Sequence, residues 1–280
     1  MPSQKQTTER LKVLFNGPEE AVGLAEAALL FASDEYPELD VRAYLGRLDA
    51  LAAKVRARFP AKAPPETIIA AMNQVLFEEE GFKGNAVEYY DPRNSFLNDV
   101  LDRKLGIPIT LSIVYVEVGR RLGLSLEGVS FPGHFLVSLP LKERRLVLDP
   151  YSGGMALSAE ELSNRLLQAY GRQPAVSLDR LLAAAGKREI LVRMLRNLKA
   201  IYLRQENSTR ALSVVDRILL VWPDLPEEVR DRGLLYDRLE CAQAALQDYR
   251  RYLDLAPDAP DAGEIRNRMI DIGKATPHLH

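Results

Sequence analysis

The chain has 280 residues, with 37 basic and 39 acidic side chains, a net charge of −2 at pH 7 and one cysteine. This near-neutral balance argues against nucleic acid or an acidic membrane as a partner, and a single cysteine excludes an internal disulfide. The length predicts about two domains. The polar start, MPSQKQTTERLK, has no apolar segment typical of a signal peptide or spanning helix, so we expect a cytoplasmic protein.

Three helical patterns follow this polar start. Residues 1–17 carry few apolar side chains, and we expect a flexible tail there. Apolar residues then recur at helical spacing after Pro18, after Asp40, which can cap a helix, and after the prolines at 64 and 65. The sequence therefore predicts three helices before the centre of the chain.

Glycine, asparagine and proline interrupt the pattern between Phe82 and Ser95, which predicts an irregular segment. Asn94 or Ser95 can then cap a short helix from Phe96 to Lys104. Because loops on a rigid scaffold often carry function, the polar and aromatic residues of this segment are candidates for binding.

The stretch from Gly106 to Pro150 predicts a helix followed by an antiparallel sheet. Apolar residues recur at helical spacing from Leu111 to Leu122, and Gly123 ends the helix. Three β-like runs come next, at Leu126–Phe131, Phe135–Leu139 and Arg145–Leu148. Strands clustered between groups of helices favour the α+β class over an alternating α/β sheet.

The last hundred or so residues predict a separate helical region. Ser158 and Glu161 fit a capping box for a helix over 159–170, and residues 171–174 are typical of a domain boundary. Beyond it the chain aligns with itself at a shift of 34 residues, which is the period of tetratricopeptide repeats. The shift pairs Tyr202 with Tyr236, Ala211 with Ala245, Leu212 with Leu246, Leu219 with Leu253 and Pro223 with Pro257. We therefore expect a tail at 1–17, an α+β domain at 18–172 and helical repeats at 173–280.

The α+β domain resembles the transglutaminase-like, papain-related superfamily. There a Cys nucleophile opens a buried helix, a His begins a following strand, and an Asp follows on the next strand. His134, in PGHFLV, and Asp149, in LVLDP, match the last two, whereas Pro108, in GIP, stands at the position of the Cys. The resemblance is closest to the bacterial SirB-type group, in which a domain without the Cys precedes tetratricopeptide repeats. The stretches that carry it include EYPELD, NSFLNDVLDRKLGIPITLS and LDPYSGG.

Two functions stay open at this point. The missing Cys favours a non-catalytic scaffold or regulatory protein, in which the repeats bind a protein or peptide partner. The alternative is an acyl-transfer or protease-like hydrolase that uses the hydroxyl of Thr110 or Ser112 with His134 and Asp149. In either case we expect His134 and Asp149 to form a hydrogen-bonded pair near Pro108.

Candidate binding residues lie in the segment that leads to the central helix. They could equally serve as caps and as a solvated helix face. The set is Tyr89, Tyr90, Arg93, Asn94, Asn98, Pro108 and His134. We expect no cofactor and no metal, because His278 and His280 lack further ligands, and we expect Cys241 to be a buried residue of the repeats. The sequence does not determine the oligomeric state.

Overall fold

Helices dominate the computed structural model, which describes residues 4–142, 144–171 and 176–275. The helices are α1 (Gln4–Asn16), α2 (Leu24–Ala32), α3 (Val41–Arg56), α4 (Pro65–Asn73), α5 (Leu97–Arg103), α6 (Pro108–Arg121), α7 (Ala159–Tyr170), α8 (Leu178–Leu181), α9 (Lys187–Arg204), α10 (Ser208–Val221), α11 (Pro226–Arg238), α12 (Ala242–Leu255) and α13 (Ala262–Ala275). The strands are β1 (Lys83–Gly84), β2 (Leu105–Gly106), β3 (Glu127–Val129), β4 (Leu136–Pro140), β5 (Arg145–Asp149) and β6 (Met155–Ala156). The chain divides into two compact units after Met194.

The N-terminal residues form a helix where the sequence predicts a flexible tail. In α1, Thr7, Leu11 and Phe15 are buried at one-turn spacing. The ring of Phe15 stacks on Phe31 of α2, with 6.2 Å between the centroids. The prediction of a tail was wrong because Leu11 and Phe15 fall on one face of a helix and are buried there, although Val13 remains 74% exposed.

The three helices predicted next are α2, α3 and α4. Asp40 caps α3 as predicted, since its carboxylate accepts hydrogen bonds from the N–H groups of Arg42 and Ala43 at 3.0 and 3.1 Å. The helix expected from Pro18 is divided, with one 3₁₀ turn at Glu19–Ala21 before α2. These local signals therefore predicted the three helices, but they did not predict the residue at which α2 begins.

The α+β class is confirmed by the sheet that follows α6. Strands β3, β4, β5 and β6 form one antiparallel sheet in that order, and Val137 of β4 lies opposite Leu148 of β5. Helix α6 is buried over most of its length and packs against this sheet. Within the segment predicted to be irregular, β1 pairs in parallel with β2 and places Lys83 beside Leu105.

The first unit extends beyond the boundary expected at residues 171–174. The capping box of α7 is present, with 3.2 Å from the Glu161 N–H to the Ser158 Oγ. Further along the chain, Leu182 packs in one core with Val129 and Phe131. Because residues after α7 contribute to this core, the division lies within α9. Residues 172–175 lie outside the described residues.

In the second unit the backbone geometry repeats every 34 residues, which supports the predicted repeats. Glu206 and Glu240, each in the turn before a helix, have φ angles of 55° and 58°. Trp222 and Ala256 are both C-caps of helices and have nearly the same φ angle, −142° and −141°. Cys241 is exposed at the N-cap of α12, so its expected burial was wrong. It occupies the cap position of the repeat, which faces solvent.

Candidate functional site

His134 and Asp149 form the predicted hydrogen-bonded pair. His134 follows the turn at Pro132 and Gly133 and precedes β4, while Asp149 is the last residue of β5. The antiparallel pairing of these strands brings the side chains together, with 2.9 Å between His134 Nε2 and Asp149 Oδ1. The Asp149 side chain is fully buried, whereas that of His134 is 18% exposed.

Three further groups bind the Asp149 carboxylate. The Tyr151 N–H donates to Oδ1 at 3.1 Å, the Ser152 hydroxyl donates to Oδ2 at 2.8 Å, and Arg165 Nη2 of α7 lies 2.8 Å from Oδ2. Burial alone would raise the pKa of Asp149. The hydrogen bond and charge of His134, with the bonds from Ser152 and Arg165, outweigh burial and lower the pKa to about 2. Asp149 is therefore ionised at neutral pH, and His134 Nε2 carries the proton that it donates.

Arg193 of α9 holds the backbone on both sides of the turn that carries His134. Its Nη2 donates to the carbonyl oxygen of His134 at 2.6 Å and to that of Phe131 at 3.2 Å. The guanidinium carbon lies 5.3 Å from the centroid of the Phe135 ring. Sequence reasoning missed Arg193 and also Arg165, because each is one of many charged residues on an amphipathic helix. Ser152, in contrast, lies inside the LDPYSGG motif.

Neither candidate hydroxyl at the start of α6 forms a hydrogen bond with His134. Pro108 is buried at the first position of the helix. Thr110 Oγ1 is fully buried, accepts from the Ile107 N–H at 3.1 Å and donates to the carbonyl oxygen of Asn94 at 2.7 Å. Ser112 is also buried, and its hydroxyl has no hydrogen-bond partner among the described residues. Thr110 thus acts as a cap, because both of its hydrogen-bonding roles are filled by backbone groups.

Two buried asparagines shape the loop over residues 85–90. Asn85 donates to the side-chain oxygen of Asn94 at 3.1 Å and accepts from the Glu88 N–H at 3.0 Å. Asn94 in turn donates to the carbonyl oxygen of Glu88 at 2.7 Å. The loop presents Tyr89 and Tyr90, which are 39% and 54% exposed and meet edge to face at 5.3 Å. A buried amide pair therefore fixes two exposed aromatic rings.

Apart from His134, the predicted binding residues fall into an exposed group and a buried group. Tyr89 and Tyr90 are exposed, and exposed Arg93 forms an ion pair with Asp91 at 2.8 Å. Three others, Asn94, Asn98 and Pro108, are buried and do not line an open surface. Asn94 does not cap α5, whose N-cap is Phe96. Asn94 uses its polar groups inside the fold, since its amide donates to the carbonyl oxygen of Glu88 and its own carbonyl accepts from Thr110 of α6. The side-chain oxygen of Asn98 is buried and has no hydrogen-bond partner among the described residues.

Tyr151, which is partly buried, lies against the ring of His134. The two rings meet edge on, with 5.9 Å between the centroids. Gly84 leaves room for the Tyr151 ring, since a Cβ atom at that position would overlap it. Burial raises the pKa of the Tyr89 phenol, and Tyr151 and Tyr90 raise it further, while the charge of Arg193 lowers it. Tyr89, Tyr151, His134 and Arg193 therefore belong to one neighbourhood.

Two classes of feature are absent from residues 4–142, 144–171 and 176–275. No group of three or more histidine, cysteine, aspartate or glutamate side chains is placed to hold a metal ion. No helix in these ranges has the length and apolar character needed to cross a bilayer. The terminal residues His278 and His280 lie outside the described part of the chain.

Comparison with known proteins relates both units to families. Residues 42–196 match the model of the transglutaminase-like superfamily, and residues 198–269 match a tetratricopeptide-repeat model. A UPF0162 protein of Xylella fastidiosa is 42% identical, over 94% of this chain and 94% of that protein. One from Vibrio cholerae is 32% identical, over 89% and 92%. The UPF0162 protein YchA of Escherichia coli is 28% identical, over 88% and 90%.

Proposed function

Since this chain belongs to the transglutaminase-like superfamily, with proline where the superfamily places its cysteine, we propose that it is a non-catalytic protein that binds a protein partner in the cytoplasm. The proposal assigns binding to two surfaces. One is the aromatic surface, defined as Tyr89, Tyr90 and Tyr151 beside His134. The other is the surface of the helical repeats, an architecture that commonly binds protein segments.

The observation that carries the proposal is the rigid presentation of Tyr89 and Tyr90. Large exposed aromatic side chains are frequent anchors of protein interfaces, because they bury much apolar area and have few rotatable bonds. Here the loop that carries them is held by Asn85 and Asn94, both buried. Because the loop is already ordered, binding of a partner would cost little conformational entropy there.

The local chemistry around His134 supports binding over catalysis. A hydrolase of the alternative kind needs a nucleophile within hydrogen-bond reach of the imidazole. Thr110 is engaged by backbone groups, and the Ser112 hydroxyl makes no hydrogen bond in the described part of the chain. Asp149 is bound by Arg165 as well as by His134. These contacts hold the imidazole in place but supply no nucleophile.

The test compares full-length baits in capture from a lysate of a bacterium that encodes this protein. We expect a specific partner to be retained by the wild type and lost with the double variant Tyr89→Ser/Tyr90→Ser. Tyr170→Ser is the matched control, because Tyr170 and Tyr90 are both 54% exposed. Equal capture by wild type and double variant would remove the aromatic surface from the proposal.

A second assay addresses catalysis directly. We expect the purified wild-type protein to leave chromogenic esters and amides intact. Hydrolysis that His134→Ala abolishes, with an unchanged circular dichroism spectrum, would instead establish the hydrolase and refute the non-catalytic proposal.

A further inference from the structure

A partly buried arginine near the aromatic surface, Arg193, has no carboxylate partner among the described residues. No carboxylate of the described residues lies within 4.0 Å of the Arg193 guanidinium, although burial lowers the pKa of this group. Glu189, one turn earlier on α9, acts on it only at longer range. Other arginines of the first unit that are partly buried, such as Arg121 and Arg165, contact carboxylates at 2.6 and 2.8 Å. A desolvated cation without a counter-ion is costly, and such groups are often kept for a ligand.

The Arg193 guanidinium also has unused donors. Arginine carries five N–H groups, and here Nη2 binds the carbonyl oxygens of Phe131 and His134. Nε and Nη1 make no hydrogen bond with a described residue, and neither is among the fully buried polar atoms. The interactions with two carbonyls and the Phe135 ring fix the plane of the guanidinium. A fixed arginine with free donors suits recognition of an anion.

The neighbouring groups do not compensate this charge. Asp149 is fully buried, and both its oxygens are occupied by His134, Ser152, Arg165 and the Tyr151 N–H. The charge of Arg193 acts to lower the pKa of the Tyr89 phenol. This phenol is a further hydrogen-bond donor. The accessible part of the site therefore offers a cation and donors to whatever binds there.

We propose that Arg193 binds a carboxylate side chain of an acidic segment of the protein partner, beside the rings of Tyr89 and Tyr90. The inference rests on the proposed function and adds the chemistry of the partner. Aspartate or glutamate on that segment supplies the missing counter-ion, and the tyrosines contact its aliphatic and backbone atoms. The carboxylate of the partner pairs with Arg193 and so offsets the free-energy cost of its partial desolvation.

The experiment measures charge selectivity on the full chain by fluorescence anisotropy. The probes are fluorescein-labelled peptides of six glutamates and of six glutamines, which differ in charge but little in size. We expect wild type to bind the glutamate peptide more tightly and Arg193→Gln to reduce that preference roughly tenfold or more, as expected for one charge-assisted hydrogen bond. Arg196→Gln is the control, because Arg196 already binds Glu228 at 2.7 Å. Its preference should equal that of wild type.

The ratio of the two affinities separates recognition from structural damage. If Arg193→Gln only disturbs the turn at His134, both peptides weaken alike and the wild-type ratio persists, which would overturn the inference. Binding of neither peptide by wild type, or equal binding of both, would also overturn it. Displacement of the glutamate peptide by an equal concentration of free glutamate would point to a small carboxylate ligand instead of a partner segment.

These outcomes are distinct from a failure of the proposed function. If wild type binds both peptides equally and Tyr89→Ser/Tyr90→Ser loses both, partner binding stands and only the acidic chemistry is wrong. If Tyr89→Ser/Tyr90→Ser captures the same partners from the lysate as wild type, the proposal that the aromatic surface binds a partner is refuted. That conclusion does not depend on the result with the peptides.

Discussion

At the scale of single residues, Asp149 connects the most groups in the site. It joins the end of β5 to His134, to the turn at Tyr151 and Ser152, and to Arg165 of α7. A buried carboxylate is tolerated only when its lone pairs and charge are satisfied, and here both conditions hold. Because the pKa of Asp149 is lowered in the folded protein, the ionised carboxylate stabilises the fold.

We expect Asp149→Asn to destabilise the protein in a pH-dependent manner. The pKa of Asp149 is lowered from 3.8 to about 2 in the folded state, so the carboxylate stabilises the fold above the unfolded pKa. The difference corresponds to about 2 kcal/mol at pH 7. As the pH falls below about 4 towards 2, wild type loses this contribution, and its stability should approach that of the variant. Urea unfolding at several pH values measures the difference.

The matched control is Asp179→Asn, at an exposed position of α8. It should change the free energy of unfolding little at any pH. A stability difference for Asp149→Asn that stays constant down to pH 2 would contradict the electrostatic origin. A variant of normal stability that binds its partner weakly would show that the pair serves the ligand and not the fold.

At the scale of elements, the start of α6 depends on one hydroxyl. Pro108 is well suited to the first helical position because it needs no N–H partner there. Thr110 then satisfies the Ile107 N–H and binds the carbonyl oxygen of Asn94 in the preceding segment. This single side chain caps the helix and ties it to the segment whose Asn94 also holds the tyrosine loop.

Thr110→Val and Ser112→Ala should therefore have different effects on stability. Valine keeps the shape of threonine but leaves two buried backbone groups without a partner, so we expect a loss of about 1–3 kcal/mol. Ser112→Ala removes a buried hydroxyl that has no hydrogen-bond partner within the described part of the chain, and its effect should lie within about 0.5 kcal/mol of zero. Denaturant unfolding of both variants tests the contrast. A large loss for Ser112→Ala would indicate a role for that hydroxyl that the described contacts do not contain.

At the scale of the whole molecule, many acidic and basic side chains form ion pairs, some of them with buried carboxylates. In the second unit, Asp248 is almost fully buried and receives two hydrogen bonds from Arg232, at 2.7 and 2.8 Å. Glu228, also buried, accepts from Arg196 and Lys199 at 2.7 Å. The repeats thus hold charges inside their helical packing, where an unpaired partner would be costly.

We expect Arg232→Met to lower the free energy of unfolding by about 3–5 kcal/mol, because it leaves the buried Asp248 carboxylate unpaired. The double variant Arg232→Met/Asp248→Leu should recover most of the loss. Arg251→Met is the control, since its partner Asp224 is 71% exposed, and it should cost less than about 1 kcal/mol. Urea unfolding followed by circular dichroism provides all three values. Strictly additive effects in the double variant would contradict the coupling.

The sequence by itself determined the features that rest on local or periodic signals. The cap at Asp40, the capping box at Ser158, the antiparallel strands and the 34-residue repeat all follow from neighbouring residues or from a fixed spacing. The pairing of His134 with Asp149 was also predictable, because it connects adjacent strands. Local signals suffice where the interacting residues are close along the chain or recur at one period.

Only the tertiary structure decided which residues complete the site. Arg193 reaches the His134 carbonyl across 59 positions of sequence, and no local pattern distinguishes it from other arginines of α9. The burial of α1 and of Asn98, the engagement of Thr110 and the exposure of Cys241 depend likewise on which faces meet. Periodicity predicts that a helix buries one face, but the partner of each polar group on that face is set by packing between distant segments.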